Sequence, residues 1–410
     1  MADQNTIQEK RAYYKKLINT LESTHVPERG LELFTVGDNF RSEVSRLESE
    51  LHSLSVEPIY KEFIIHAPFG GGKTHFLKYL SSQVVQNDSQ SVMSWLDMSR
   101  VSSADDFEKK IIQGMRTSDG KGYGDVLRVS YTRIIEQMQS EYLNATPQEL
   151  NKIFETLLYF ILGAMSEGVL SKSVLQLLGE LNPVSAFVNL LTKKTVANLA
   201  SQARLNSSKK TIDFVDSFMG IIQNKEAPLS KFDEACSVLA KEKELCHVVF
   251  RMLRLASYKS VVIFVDELET VRKFDETKKA EILTAIRAFR DRFSLVGEID
   301  GYPSTGLIVA STSQFSGAEL EKLEPALYDR WKRKRIPLPI FSQADIDHLL
   351  FRLRDLFYLA GYRLKPLHTD DIHEIILLRR KIFENSDLTE RHPRDVIAEL
   401  IKMIQDEWVL

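Results

Sequence analysis

The sequence predicts an α/β fold in which a parallel sheet is sandwiched by helices, with a large helical insertion and a C-terminal helical lid. Three observations predict it. Short apolar runs of strand length alternate with amphipathic stretches of helical period in two parts of the chain. The long stretch between these parts has helical periodicity, and so has the segment after the last strand. Strands that alternate with helices favour a parallel sheet covered on both faces.

The first half of the chain contains two helices and then two strands that each precede a helix. Pro27, Gly30 and Gly37 interrupt the helical pattern in the stretch VPERGLELFTVGDNF, residues 26–40. Ser103 followed by acidic residues is typical of a helix N-terminus. The pattern predicts helices at 6–23 and 42–54, a strand at 61–67, a helix at 74–85, a strand at 91–99 and a helix at 103–115.

The second half returns to strands after a long helical stretch. Five consecutive apolar residues at 261–265 are typical of a strand covered on both faces. The pattern predicts helices through 125–255, strands at 261–269 and 305–315, a helix at 276–292, and C-terminal helices at 342–360, 368–384 and 393–408. We therefore divide the chain into N-terminal helices and a linker (1–55), a first core part (56–120), the insertion (121–255), a second core part (256–340) and the lid (341–410).

The composition is that of an ordinary globular protein. Of 410 residues, 43% are hydrophobic and 27% charged, and the formal net charge is −3. Because this charge is nearly balanced, any nucleic-acid contact has to depend on a local basic patch. Cys236 and Cys246 have no Cys/His ligand set around them, so we interpret them as reduced packing residues of a cytoplasmic protein.

No segment has the pattern of a secretion signal or a membrane span. The start, MADQNTIQEKRAYYKK, contains no apolar core of the kind that signal peptides have. The longest uncharged apolar run, at 157–166, is about half the length needed to cross a bilayer. We expect this run to form a buried helix and expect no membrane partner.

The stretch APFGGGKTH, residues 67–75, lies between a strand and a helix. It fits the P-loop pattern G-x-x-x-x-G-K-[ST], with Ala67 in place of the first glycine. Glycines permit the positive φ angles that turn backbone N–H groups toward a phosphate, and the following helix N-terminus favours the same anion. This predicts an ATP site made of Ala67, Gly70, Gly71, Gly72, Lys73, Thr74 and His75, with Lys73 on the β and γ phosphates and Thr74 on Mg²⁺.

A carboxylate pair ends the apolar strand in VVIFVDELE. We predict Asp266 as the second Mg²⁺ partner and Glu267 as the general base that activates the attacking water. Glu269 lies two residues farther on, and we expect it to be solvated or to lie at an interface. An Asp-Glu pair alone is common, but one that ends a buried strand downstream of a P-loop indicates a hydrolytic metal site.

Polar residues also end the strand GLIVASTSQF. If this strand lies between the P-loop strand and the Asp266 strand, its end lies beside the γ-phosphate. We then expect Thr312 or Ser313 to hold the attacking water, and the sequence does not decide between them. A serine-rich strand end with no role, which would include Ser311, is the alternative.

Two stretches contain arginine candidates for contacts across a subunit boundary or from a lid. In the basic run RWKRKR (330–335), Arg330 is our first choice for an arginine finger and Arg333 the second, and a DNA contact around Trp331 or a solvated charge run are the alternatives. In TERHPRDVIAELI, Pro393 starts a helix, so Arg394 would point from its first turn toward the nucleotide. Arg391 is the neighbouring alternative.

This order of motifs resembles the AAA+ ATPases over residues 26–120 and 255–408. The segment HPRDVIAEL is similar to the origin-recognition and initiator clade of that superfamily. The stretch VPERGLELFTVGDNF, with VDELETVRK and LIVASTSQF, resembles the ATP-binding proteins of bacteriophage-exclusion (BREX) defence systems. The resemblance implies that Val36 and Gly37 line the adenine. The asparagine common at the polar strand end of AAA+ proteins is absent here.

The resemblance implies an AAA+ ATPase that binds and hydrolyses Mg-ATP, forms a homo-oligomer and acts on DNA or with protein partners of a phage-defence system. The alternative from another class is a slow nucleotide-gated switch that recruits a protein through the helical insertion. A small-molecule kinase is disfavoured, because the sequence shows no compact acceptor pocket.

Overall fold

The chain is described here from a computed structural model. The residues that the structure describes are 2–23, 25–28, 30–33, 35, 37–57, 59–87, 90–141, 145–163, 184, 204–205, 207–223, 230, 245–294, 302–338, 343–365 and 393–410.

A six-stranded sheet forms the centre of the fold. Its strands are β1 (Tyr60–Ala67), β2 (Ser91–Asp97), β3 (Met115–Arg116), β4 (Ser260–Asp266), β5 (Ser304–Thr312) and β6 (Arg335–Pro337). The order across the sheet is β3-β2-β4-β5-β1-β6. All neighbours are parallel except β2 and β3, which are antiparallel. The predicted α/β class is therefore confirmed, with one short antiparallel strand at an edge.

Helices account for most of the other described residues. They are α1 (Ala2–Glu22), α2 (Asp38–His52), α3 (Lys73–Asn87), α4 (Ala104–Gln113), α5 (Tyr123–Glu141), α6 (Pro147–Gly163), α7 (Lys209–Gln223), α8 (Leu245–Leu255), α9 (Glu276–Phe293), α10 (Leu320–Leu323), α11 (Pro325–Trp331), α12 (Gln343–Leu359) and α13 (Pro393–Met403). Short 3₁₀ turns span Leu31–Leu33, Ser53–Ser55, Met98–Arg100 and Leu268–Lys273, and π turns span Phe315–Glu319 and Ile404–Trp408.

The central strands are buried on both faces. Every residue of β4 and β5 is buried, which explains why these strands are continuous apolar runs rather than alternating ones. Side chains alternate between the two faces of the sheet. One face, which includes Phe264 and Ala310, packs against α2 and α3. The other, which includes Val265 and Val309, packs against α4, α9 and the helices between β3 and β4.

The described helices of the predicted insertion share a buried cluster with the sheet. Phe154 of α6, Phe218 of α7 and Phe250 of α8 are fully buried in that cluster. The run at 157–166, expected to be a buried helix, lies in α6 as far as Gly163. Cys246 is buried, and its backbone N–H donates to the Glu108 carboxylate at 3.0 Å. Cys236 lies outside the described residues.

The N-terminal helix packs against the C-terminal helices. Leu17 and Leu21 of α1 lie in one buried cluster with Leu349 of α12 and Leu400 of α13. Helix α2, by contrast, packs on the sheet. The predicted helix at 368–384 lies outside the described residues, and the division into five units stays a prediction. Within the described ranges, none of the helices has the length and hydropathy of a membrane span.

Candidate functional site

The loop between β1 and α3 needs its three glycines for two different reasons. Gly70 and Gly72 have φ angles of 75° and 83°, which side-chain-bearing residues rarely adopt. Gly71 is restricted by space, because a Cβ there would lie 2.7 Å from the Ala67 Cβ and 2.9 Å from the Pro68 carbonyl oxygen. The loop can therefore turn backbone N–H groups toward an anion only with glycine at these positions.

Helix α3 begins at Lys73, directly after the loop. Its first turn contains no acidic residue, so nothing there neutralises the positive end of the helix dipole. The first intrahelical bond, from the Phe76 N–H to the Gly72 carbonyl, is 2.9 Å long. The N–H groups of the first helical turn, on Lys73, Thr74 and His75, have no carbonyl of an earlier helical turn to bond. The loop and the helix N-terminus together form a site suited to phosphate.

Lys73 is buried at this site, with 7% of the residue exposed. Its Nζ donates to the Pro68 carbonyl at 3.1 Å and lies 3.5 Å from the Ala67 carbonyl. A carboxylate oxygen of Glu269 lies 3.6 Å from the same Nζ. The ammonium group is thus held across the loop, where an incoming phosphate would meet it.

Thr74 and Asp266 lie close together, as a shared cation site requires. The nearby Thr74 hydroxyl favours the charged form of the Asp266 carboxylate, and the Glu267 N–H donates to Asp266 Oδ1 at 3.0 Å. Asp266 is only 5% exposed, and burial raises its pKa to about 6. Thr74 and Asp266 both provide oxygen atoms, the ligands that Mg²⁺ prefers. A bound cation would also offset the energetic cost of burying the carboxylate charge. The residues present therefore fit the metal.

The two glutamates after β4 have different surroundings. Glu267 is exposed and has a left-handed backbone with φ 56°. Glu269, expected to be solvated or at an interface, is instead 14% exposed in its side chain and faces Lys73. Its other oxygen accepts a hydrogen bond from the Thr312 N–H at 3.1 Å. The expectation that Glu269 is solvated was wrong, because the chain leaves β4 through the left-handed residue and a 3₁₀ turn.

Strand β5 does lie between β1 and β4, which was the condition for its polar end to reach the site. Thr312 pairs with Ala67 in register and lies on the α3 face, in line with Ala310. Its hydroxyl accepts from the Phe315 N–H at 3.3 Å. Ser313 lies on the opposite face. The structure thus places the Thr312 backbone beside Glu269 and the Ser313 side chain on the opposite face of the sheet.

The sheet face opposite α3 carries a cluster of polar residues that the sequence did not indicate. The Ser313 hydroxyl lies 3.2 Å from His66 Nδ1, and Arg335 lies 3.5 Å from the Ser313 carbonyl and 3.4 Å from the Ser316 hydroxyl. Burial, with the nearby Arg335 charge, lowers the pKa of His66. Among the described residues the buried Ser311 hydroxyl has no hydrogen-bond partner. These residues lie on the sheet face away from α3.

The two candidate finger arginines differ in their surroundings. Arg330 of α11 forms an ion pair of 3.1 Å with Asp291 of α9 in the same chain. Arg333 lies in the turn between α11 and β6 and is exposed. Neighbouring Lys332 pairs with Asp329 at 2.7 Å. Within one chain, Arg333 is therefore more available for a partner than Arg330.

The segment expected near the adenine contacts both α3 and the C-terminal helices. His75 Nε2 lies 3.2 Å from the Thr35 hydroxyl, and the ring stacks with Tyr79. Burial lowers the pKa of His75 to about 4. A Cβ on Gly37 would lie 3.1 Å from Asp345 Oδ1 in the first turn of α12.

Of the remaining predicted residues on this side, Arg394 is the second residue of α13. Val36 and Arg391 lie outside the described residues. Arg352 of α12 donates to the Glu32 carbonyl at 2.7 Å. The N-terminal linker and the lid helix therefore meet beside the first turn of α3.

The first part of the chain matches the model of a known protein family. Residues 8–178 match the model of the family described as BREX system ATP-binding protein BrxC/D. The match includes β1, the glycine loop, α3 and β2, and ends before β4. No curated protein matches the chain. Over its first part, and in agreement with the resemblance seen in its motifs, this chain is similar to the ATP-binding proteins of BREX systems.

Proposed function

We propose that this protein binds Mg-ATP at residues 67–75 and hydrolyses it. The observation that supports this most strongly is the burial of Lys73 at the junction of the glycine loop and α3, together with the buried Asp266 carboxylate at the end of β4. The name of the matching family, which includes ATP binding, supports the same nucleotide.

Each site residue has a role in this proposal. Lys73 and the loop N–H groups hold the β and γ phosphates. Thr74 and Asp266 would hold Mg²⁺, which when bound neutralises charge on the phosphate oxygens. Glu267 accepts a proton from the water that attacks the γ-phosphorus, and the Thr312 region orients that water. The bond to the bridging oxygen breaks, giving ADP and inorganic phosphate.

The oligomer is a further part of the proposal. Arg330 or Arg333 completes the site of a neighbouring copy, as in AAA+ proteins, and Gly37 and Arg394 contact the nucleotide from the linker and the lid. The similarity to BREX system ATP-binding proteins supports a role in phage defence. The partners in this proposal are DNA or other proteins of the defence system.

A second candidate function is a slow nucleotide-gated switch. The exposure of Glu267 and its left-handed backbone favour this alternative, because a base open to bulk solvent is less precisely placed against a water at the γ-phosphate. In that case ATP is held for a long time, and the helices between β3 and β4 recruit the partner.

Steady-state ATP hydrolysis, measured against protein concentration with and without duplex DNA, tests the proposal. Lys73→Ala should abolish binding, and Glu267→Gln should retain binding but stop turnover. A specific rate that rises with concentration and with DNA supports a DNA-coupled oligomer with shared sites. A slow, flat rate supports the switch. Undiminished hydrolysis by Glu267→Gln would refute the assigned base.

A further inference from the structure

Lys73 and Glu269 face each other at the position where phosphates would bind. Their charged groups are 3.6 Å apart, and their side chains are 8% and 14% exposed. Screening by water is weak for a pair buried to this extent, so the attraction is stronger than that of a surface ion pair. Lys73 is also the residue that the loop would direct at a triphosphate.

Glu269 is held firmly in this position. Its second carboxylate oxygen accepts from the Thr312 N–H at 3.1 Å. The 3₁₀ turn that carries it is tied down at its far end, where Arg272 pairs with Glu319 and Lys273 Nζ donates to the Ser99 carbonyl at 2.7 Å. The carboxylate is therefore fixed at the mouth of the phosphate loop.

We propose that Glu269 is an internal competitor for the phosphates, which occupies Lys73 in the empty site and has to be displaced by the nucleotide. The inference rests on the proposed function, since it takes the loop to be a phosphate site. Phosphate and carboxylate oxygens compete for one ammonium group, so each weakens the binding of the other. Glu269 then sets the affinity for ATP, and the displaced carboxylate stays bonded to the end of β5.

Binding measured without metal tests this directly. The full-length wild-type protein, Glu269→Gln and Glu276→Gln are titrated in EDTA with ATP and, separately, with inorganic tripolyphosphate. Glutamine keeps an acceptor for the Thr312 N–H but removes the charge. Glu276 is an exposed residue that pairs with Lys279 on the surface, so its variant controls for net charge. Thermal melting shows that each variant is folded.

The proposal expects Glu269→Gln to bind both compounds more tightly, on the order of tenfold, while Glu276→Gln matches the wild type. Wild type and Glu269→Gln binding ATP equally would overturn the proposal and leave the ATP site intact. Equal binding in EDTA, with hydrolysis by Glu269→Gln lost in a separate Mg-ATP assay, would also overturn it and assign Glu269 to the attacking water. If no protein binds either compound, the proposed function fails too.

Discussion

Glu62 of β1 and Arg290 of α9 form a buried two-point ion pair, with nitrogen–oxygen distances of 2.9 and 3.1 Å. Glu62 is 2% exposed. It also accepts from the Trp331 indole N–H at 3.3 Å and the Tyr60 hydroxyl at 3.2 Å. The P-loop strand is thereby joined to α9 and to α11, the helix that carries the first finger candidate.

Glu62→Gln should lower the free energy of unfolding by about 3 kcal/mol, the lower end of the range for a broken buried pair, because Asp291 remains beside Arg290. Chemical denaturation measures this change. Asp329→Asn is the control, because it removes only an exposed pair with Lys332 and should have a much smaller effect than Glu62→Gln. Equal changes in the free energy of unfolding for the two variants would show that the hydrogen bonds and ion pair of Glu62 contribute little to stability.

Asp266 should make the nucleotide-free protein less stable as pH rises. Its pKa is raised from 3.8 to about 6 by burial, so between these values the folded state binds more protons than the unfolded state. Stability therefore falls as pH rises through this window, by about 3 kcal/mol in total. The Asp266→Asn variant does not lose this stability, so its melting temperature at pH 7 should be higher than that of the wild type.

The comparison across pH separates this effect from a packing change. The difference in melting temperature between Asp266→Asn and wild type should shrink to nothing near pH 4. Parallel melting curves for the two proteins from pH 4 to 7 would contradict the raised pKa. Asp266→Asn should also lose its response to Mg-ATP, because it removes one of the proposed metal ligands.

Gly71→Ala should weaken ATP binding by about tenfold or more, because the new Cβ overlaps Ala67 and Pro68 and moves N–H groups that bond a charged ligand. Equilibrium titration measures this affinity. Gly220 in α7 is the matched control, since a Cβ there meets no atom within 4 Å. Gly220→Ala should leave binding unchanged and stabilise the helix by about 0.5–1 kcal/mol. Unchanged ATP affinity in Gly71→Ala would argue against the loop as the phosphate site.

A mixing experiment tests the arginine finger. Arg330→Ala and Arg333→Ala are each assayed alone and after mixing with Lys73→Ala subunits. The finger variant should be inactive alone and regain activity in the mixture, because each subunit supplies the group that the other lacks. Lys332→Ala, which loses only a surface pair, should retain activity. Lack of rescue for both arginines would argue against a finger acting between subunits.

The local sequence was sufficient to predict the four longer strands, most of the described helices and the glycine loop, but not the short strands β3 and β6. Apolar runs, helical periodicity and glycine spacing are properties of neighbouring residues, so they can be read without knowing what packs on them. Asp266 could be predicted in the same way, because it ends an apolar run. The family resemblance in the motifs likewise agreed with the match to residues 8–178.

Only the tertiary structure decided which side chains meet. Every residue of β5 is buried, so no alternation in the sequence shows that Thr312 lies on the α3 face. The left-handed backbone at Glu267 turns the chain so that Glu269 faces Lys73, and two glutamates two residues apart carry no sign of this. The packing of α1 against α12 and α13 joins opposite ends of the chain. These contacts depend on how distant elements pack, which local patterns do not encode.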